Sequence, residues 1–126
     1  MIGGKVLDPS ALAAQAQGSI GMEAWLAVAK VTGLVLYLPA LAVVEAFAVY
    51  PESARLGRLL RYPSVFQAEL SRSDAPKVAQ LLAEAKAWDA TAGHVILVAR
   101  QHGWPVLTAD PGRLQRIAPD LDVDLL

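Results

Sequence analysis

The 126-residue chain predicts an α/β domain with a mainly parallel central sheet flanked by helices, a single unit spanning residues 1–126. Three observations carry this. Short apolar segments of strand character alternate with helical ones, the pattern of parallel sheets built from strand–helix–strand units. Two of those strands run straight into an acid, Asp8 and Asp110. The length suits one hydrophobic core.

Lys5 to Leu7 is a short strand ending at Asp8. Pro9 and Ser10 form the turn, with Ser10 placed to cap a helix from Ala11 to about Gln17. Gly18 to Gly21 is a loop, and Met22, Trp25, Leu26 and Ala29 mark a second helix, about Met22 to Thr32, closed by Gly33. Leu34 to Leu38 is extended. Pro39 then starts a helix from Ala40 to about Tyr50. Glu52 to Arg61 reads as a short helix, and Ser64 to Leu70 as an edge strand. Ser73 or Asp74 caps the next helix, whose apolar face is Val78, Leu81, Leu82 and Ala85. Asp89 opens a helix to about His102, closed by Gly103. Pro105 to Thr108 is a buried strand, Pro111-Gly112 leads into a last helix, and Val123 to Leu126 is a terminal strand.

Composition sets limits. Hydrophobic residues make up 55% of the chain and charged residues 18%, so apolar surface is expected to remain for self-association or a partner. There is no cysteine, which excludes disulfides and thiolate metal sites. His94 and His102 are too few for a histidine zinc cluster, and His94 is assigned to packing. The opening Met1 to Lys5 does not resemble a signal peptide, and cytoplasmic residence is the expectation. Val31 to Tyr50 is apolar enough to suggest a membrane span. Pro39 divides it, however, and Glu45 would cost roughly 2.5–3.5 kcal/mol at a bilayer centre, so buried core is the better reading.

Chemistry enters through four acids in apolar or small-residue surroundings: Asp8, Glu45, Asp89 and Asp110. Alone, Asp8 and Asp110 each read equally well as turn residues, and Asp89 as a helix cap. Glu45 sits in a helix apolar on nearly every face and needs a charged partner, an ion pair with Arg100 or Lys30 being the plain alternative to a metal. Together, several carboxylates would repel unless a cation joined them, and Mg²⁺ or Mn²⁺ favours oxygen ligands. In parallel sheets ligands bind beyond the carboxyl ends of the strands, where Asp8 and Asp110 sit. Ser10 and Thr108 would add hydroxyls. The net charge of −1 makes no case for nucleic acid, although setting the four acids aside leaves a mildly basic remainder. Arg55, Arg58 and Arg61, three apart, would lie along one helical face and could follow a phosphate backbone, or simply form a solvated face beside Glu52. Trp25, Trp88 and Trp104 are assigned to core packing ahead of base stacking.

Four blocks in order resemble the PIN-domain nucleases: Lys5-Val-Leu-Asp-Pro-Ser-Ala-Leu12, Leu38-Pro-Ala-Leu-Ala-Val-Val-Glu-Ala46, Trp88-Asp-Ala-Thr-Ala-Gly-His-Val-Ile-Leu-Val-Ala-Arg-Gln-His-Gly103 and Pro105-Val-Leu-Thr-Ala-Asp110. The size and order are similar to the compact bacterial VapC-like toxins. The resemblance spans nearly the whole chain and is loosest over residues 18–32 and 50–73. It implies a Mg²⁺- or Mn²⁺-dependent ribonuclease in which Asp8, Glu45, Asp89 and Asp110 hold the metal and carry catalysis, supported by Ser10 and Thr108. It also implies an RNA substrate, a cognate antitoxin and a homodimer. Leu114 stands where many relatives have an aromatic residue, and Pro9 separates Asp8 from Ser10; both bear on substrate fit. The alternative is a catalytically quiet PIN-like module binding protein or RNA. A phosphoaspartate enzyme using Asp8 fits less well, since a second acid two residues on is missing and Ser10 stands there.

Overall fold

The computed structural model describes residues 3–126; Met1 and Ile2, at the start of the segment considered above as a signal peptide, lie outside the described residues. Five strands form one sheet: β1 (Gly4–Leu7), β2 (Val35–Pro39), β3 (Val65–Ala68), β4 (Val106–Thr108) and β5 (Val123–Leu125). Their order is β3-β2-β1-β4-β5, and every neighbouring pair is parallel. A parallel pair cannot be joined by a hairpin, so helices make the crossovers. They are α1 (Pro9–Ala16), α2 (Ile20–Thr32), α3 (Ala40–Val49), α4 (Ala54–Leu59), α5 (Asp74–Ala85), α6 (Ala90–His102) and α7 (Pro111–Gln115).

The central strands are buried on both faces, which is why they read as unbroken apolar runs. Val6, Leu7, Leu36, Leu38, Val106 and Leu107 are all buried. Each fully buried leucine contributes about 1.5–3 kcal/mol. Helix α6 is buried continuously from Ala92 to Ala99, between α5, α3 and the sheet. The apolar stretch that suggested a membrane span is divided between the end of α2, strand β2 and helix α3. No helix among the described residues is long and apolar enough to cross a membrane.

Several local expectations are corrected. The cap of α1 is Asp8, whose Oδ1 accepts the Ala11 amide; the helix starts at Pro9, two residues earlier than a Ser10 cap allows. At α5, neither Ser73 nor Asp74 caps with its side chain in the expected way. Ser71 Oγ accepts the Asp74 amide while the Asp74 carboxylate accepts the Ser71 amide, a reciprocal pair that with Gln101 holds Asp74 down to about pKa 2. Helix α4 ends at Leu59, so Arg61 lies past it and the three arginines do not share one helical face. Trp25 and Trp104 pack against the core as expected, but Trp88 is 94% exposed. Helix α5 stops at Lys86 in the left-handed conformation (φ 52°), and the connection to α6 carries Trp88 outward.

Candidate active site

Strand β1 is the point where the sheet's order reverses. The chain leaves β1 toward β2 on one side, while β4 pairs on the other. Connections leaving the two strands diverge there and open a crevice at their carboxyl ends. Asp8 follows β1, and Thr108 and Asp110 close β4, so the topology brings residues a hundred positions apart into one cluster.

Asp8 is only 1% exposed. Its Oδ1 accepts from the Ser10 hydroxyl at 2.7 Å and the Ala11 amide at 3.0 Å, and its Oδ2 accepts from the Thr108 hydroxyl at 2.5 Å. Ser10 Oγ in turn accepts the Ala109 amide at 2.8 Å, and Thr108 Oγ1 accepts the Asp110 amide at 2.9 Å. Each hydroxyl has one proton, and each gives it to Asp8. The 3.1 Å approach between Ser10 Oγ and Thr108 Oγ1 is therefore contact between two acceptors. Every hydrogen-bond donor to Asp8 is neutral. Burial pushes its pKa up, against the pull of Ser10, Thr108, the Ala11 amide and the more distant Arg113. Asp8 is a buried carboxylate short of positive charge.

Asp110 occupies the N-cap position of α7 but makes no side-chain cap bond, and it is exposed. Its amide reaches the Thr108 hydroxyl, while its carboxylate takes part in no hydrogen bond or ion pair among the described residues.

Glu45 and Asp89 are held differently. Arg113, on α7, donates Nη1 to Glu45 Oε2 at 2.6 Å and Nη2 to Glu45 Oε1 at 2.8 Å. The same guanidinium donates Nε to Asp89 Oδ2 at 2.6 Å and Nη2 to Asp89 Oδ1 at 2.9 Å. All four carboxylate oxygens are engaged by one fork, the geometry in which arginine binds carboxylates most strongly. Arg113 lowers both acids' pKa values, and the two acids raise its own. Asp89 also caps α6 by accepting the Ala92 amide. Glu45 is ion-paired, the plain alternative to a metal, but with Arg113 and not with Arg100 or Lys30. Arg100 faces Asp120 at 3.7 Å and Lys30 lines a different cleft. Arg113 follows Asp110 by three residues, and that offset is the one sequence signal that pointed toward it.

A hard divalent ion takes oxygen ligands, usually one or two carboxylates with the rest water for Mg²⁺. Asp8 and Asp110 supply that chemistry, and the uncompensated burial of Asp8 is an independent reason for a cation there. Among the described residues no three acids or histidines stand close enough to share one ion. Glu45 and Asp89 share the single charge of Arg113, so every carboxylate oxygen is bonded while the triad keeps a net charge of −1. A cleft of about 230 Å³ beside the cluster is lined by Pro9, Ser10, Glu45, Tyr50 and Arg113 among others. His94 is fully buried with neither ring nitrogen hydrogen-bonded, and burial pushes its pKa down, in keeping with a packing role.

The five-stranded parallel sheet and its flanking helices form an α/β domain of PIN-like fold. No family model and no curated protein matches the sequence. Among solved structures the chain is similar to a chain of FitAB bound to an IR36 DNA fragment, with 21% identity, 99% of this chain and 94% of that one covered, and a TM-score of 0.62. At that identity the likeness is one of fold.

Proposed function

We propose that this protein is a metal-dependent endoribonuclease that hydrolyses RNA phosphodiester bonds and acts as the toxin of a toxin–antitoxin pair. The observation that carries the reading is the buried Asp8 carboxylate, bonded only to neutral donors, beside the unengaged Asp110 at the sheet's switch point. Mg²⁺ or Mn²⁺ fits these two acids; when bound it would supply Lewis-acid activation of water and neutralise charge on the phosphate. The chain's own groups do the rest. Ser10 and Thr108 fix both oxygens of Asp8, so its remaining lone pairs keep one direction. Arg113 is a permanent positive charge across from this pair, held by Glu45 and Asp89, and stands where a second ion would otherwise be needed to balance those acids. Glu45 and Asp89 thereby act through Arg113, with no second ion.

As a toxin the protein would be silenced by an antitoxin covering this cleft, and a homodimer would bury further apolar surface. Val44, beside Glu45, and Trp88, beside Asp89, are both exposed and offer apolar ground at the rim. The fold shared with a chain of FitAB is in keeping with such a pairing. One observation favours a second reading, a quiet RNA- or protein-binding module: two of the four acids are satisfied without any metal.

Cleavage of total cellular RNA by the purified protein, with Mn²⁺, Mg²⁺ or EDTA and beside Asp110→Asn, separates the two. The nuclease reading expects discrete fragments that require metal and a loss of at least about 100-fold in the variant. Intact RNA in every lane, with the wild-type protein folded, favours the quiet module.

A further inference from the structure

Three clefts share walls. The one beside the acids, lined by Ser10, Glu45 and Arg113, meets a second of about 480 Å³ at Val49 and Tyr50. The second, which Arg55 also lines, meets a third of about 470 Å³ at Arg58. Lys30, Arg58, Arg61 and Tyr62 surround the third. The three clefts therefore lie in series, from beside the acid cluster past the end of α3 and along α4 toward the end of α2, with Tyr50 and Arg58 between them.

The charge changes along this series. The chain carries 11 basic and 12 acidic residues, yet four of the basic ones line the second and third clefts. Glu52 is the one acid among their described lining residues. Among the described residues the ion pairs involve Lys5, Arg100 and Arg113, and none of the four groove cations takes part. Like charges around one cleft repel, and Glu52 offsets only one of the four. Their placement is also structured. Gly18, at φ 78°, leaves room for the Arg55 guanidinium, which lies 3.0 Å from where a Cβ would stand. Arg61 turns back over Gly57, its Nη1 3.9 Å from the corresponding point there. Tyr50, the wall between the first two clefts, is fixed by a 2.7 Å bond from Gln17 to its hydroxyl.

We infer that this groove is the track of a single-stranded polynucleotide whose scissile phosphate reaches Asp8 and Asp110 while Arg55, Arg58, Arg61 and Lys30 hold the phosphates to one side. Tyr62 offers a stacking face at the far end. The inference rests on the nuclease reading for the direction of the track. An acidic protein would also meet cations, but would have no reason to continue into the Ser10–Arg113 cleft.

Binding of labelled single-stranded oligonucleotides, measured by fluorescence anisotropy in EDTA, tests the track without cleavage. Arg58→Glu/Arg61→Glu is compared with Arg72→Glu/Lys77→Glu, which changes net charge equally outside the groove. The expected results are tighter wild-type binding to an octanucleotide than to a dinucleotide, and a loss of at least about 10-fold in the groove variant with its salt slope reduced by about 1.4. The control pair keeps wild-type affinity. Equal losses in both variants, no loss in the groove variant, or capture of an acidic polypeptide in place of RNA would overturn the track. Binding that follows this pattern in a protein that cleaves nothing would uphold the groove and reject the nuclease. Lys30→Gln/Arg58→Gln repeats the comparison should charge reversal unfold the chain.

Discussion

Asp8 carries an energetic cost that its neighbours only partly offset. Burial raises its pKa, so its ionised form is less favourable folded than unfolded. With a folded pKa above the ordinary 3.8, the contribution is most favourable when Asp8 is protonated in both states, and is lost as pH rises through the folded value. At neutral pH the charge therefore destabilises the metal-free protein. Asp8→Asn keeps a cap acceptor and removes the charge, so in EDTA at pH 7 we expect Tm to rise by about 4 °C, roughly 1 kcal/mol for a domain of this size. The same variant should lose RNA cleavage. A fall in Tm would mean that Asp8 is a structural anchor with no deficit of positive charge.

Arg113 has the opposite balance. Glu45 and Asp89 have lowered pKa values, so their stabilisation is present above the ordinary carboxylate range and is lost as pH falls through their folded values. Arg113→Ala would leave two carboxylates facing each other. Because all three side chains are partly open to solvent, the cost is discounted to about 2 kcal/mol. Thermal melts across pH provide the check: the variant should lose most above pH 5 and approach wild type in acid, where both carboxylates are protonated. A uniform loss at all pH values would point to packing in place of charge.

At the scale of elements, strand β1 depends on what lies over it. A Cβ on Gly4 would come within 2.6–2.8 Å of three atoms of the Trp104 ring. That ring has little freedom, being stacked on His102 with 4.6 Å between centroids and tilted against Tyr37. Gly4→Ala should cost about 1–3 kcal/mol by overpacking, read from chemical denaturation with unchanged m-value. A neutral result would mean that the strand end yields freely.

The elements also show where the sequence was legible. β1 and β4 could be read because an apolar run stops at an acid, and position at a strand end is itself a statement about where a parallel sheet binds ligands. In the structure the Thr108 hydroxyl bonded to Asp8 also accepts the Asp110 amide. The partner of Glu45 could not be read, because Arg113, 68 positions away, reaches it only after α3 and α7 have both packed against α6. Trp88 misled because hydrophobicity predicts burial on average, while its exposure is decided by the direction in which the chain leaves Lys86. Arg55, Arg58 and Arg61 are grouped by their spacing of three, but Arg61 lies past α4. They do not share a helical face, and clefts formed with Lys30 and the end of α3 relate them.

For the molecule as a whole, one parallel sheet with a single reversal sets acids at the switch point, a guanidinium across from them and a basic groove leading away. Asp8 is bonded only to neutral donors, whereas Glu45 and Asp89 share the Arg113 guanidinium. The most direct test is anomalous diffraction from crystals grown with Mn²⁺. One manganese peak between the Asp8 and Asp110 carboxylates, with Arg113 still bonded to Glu45 and Asp89, is the predicted result. A peak seated on Glu45 and Asp89 with Arg113 displaced, or no peak from a folded protein at saturating Mn²⁺, would contradict it.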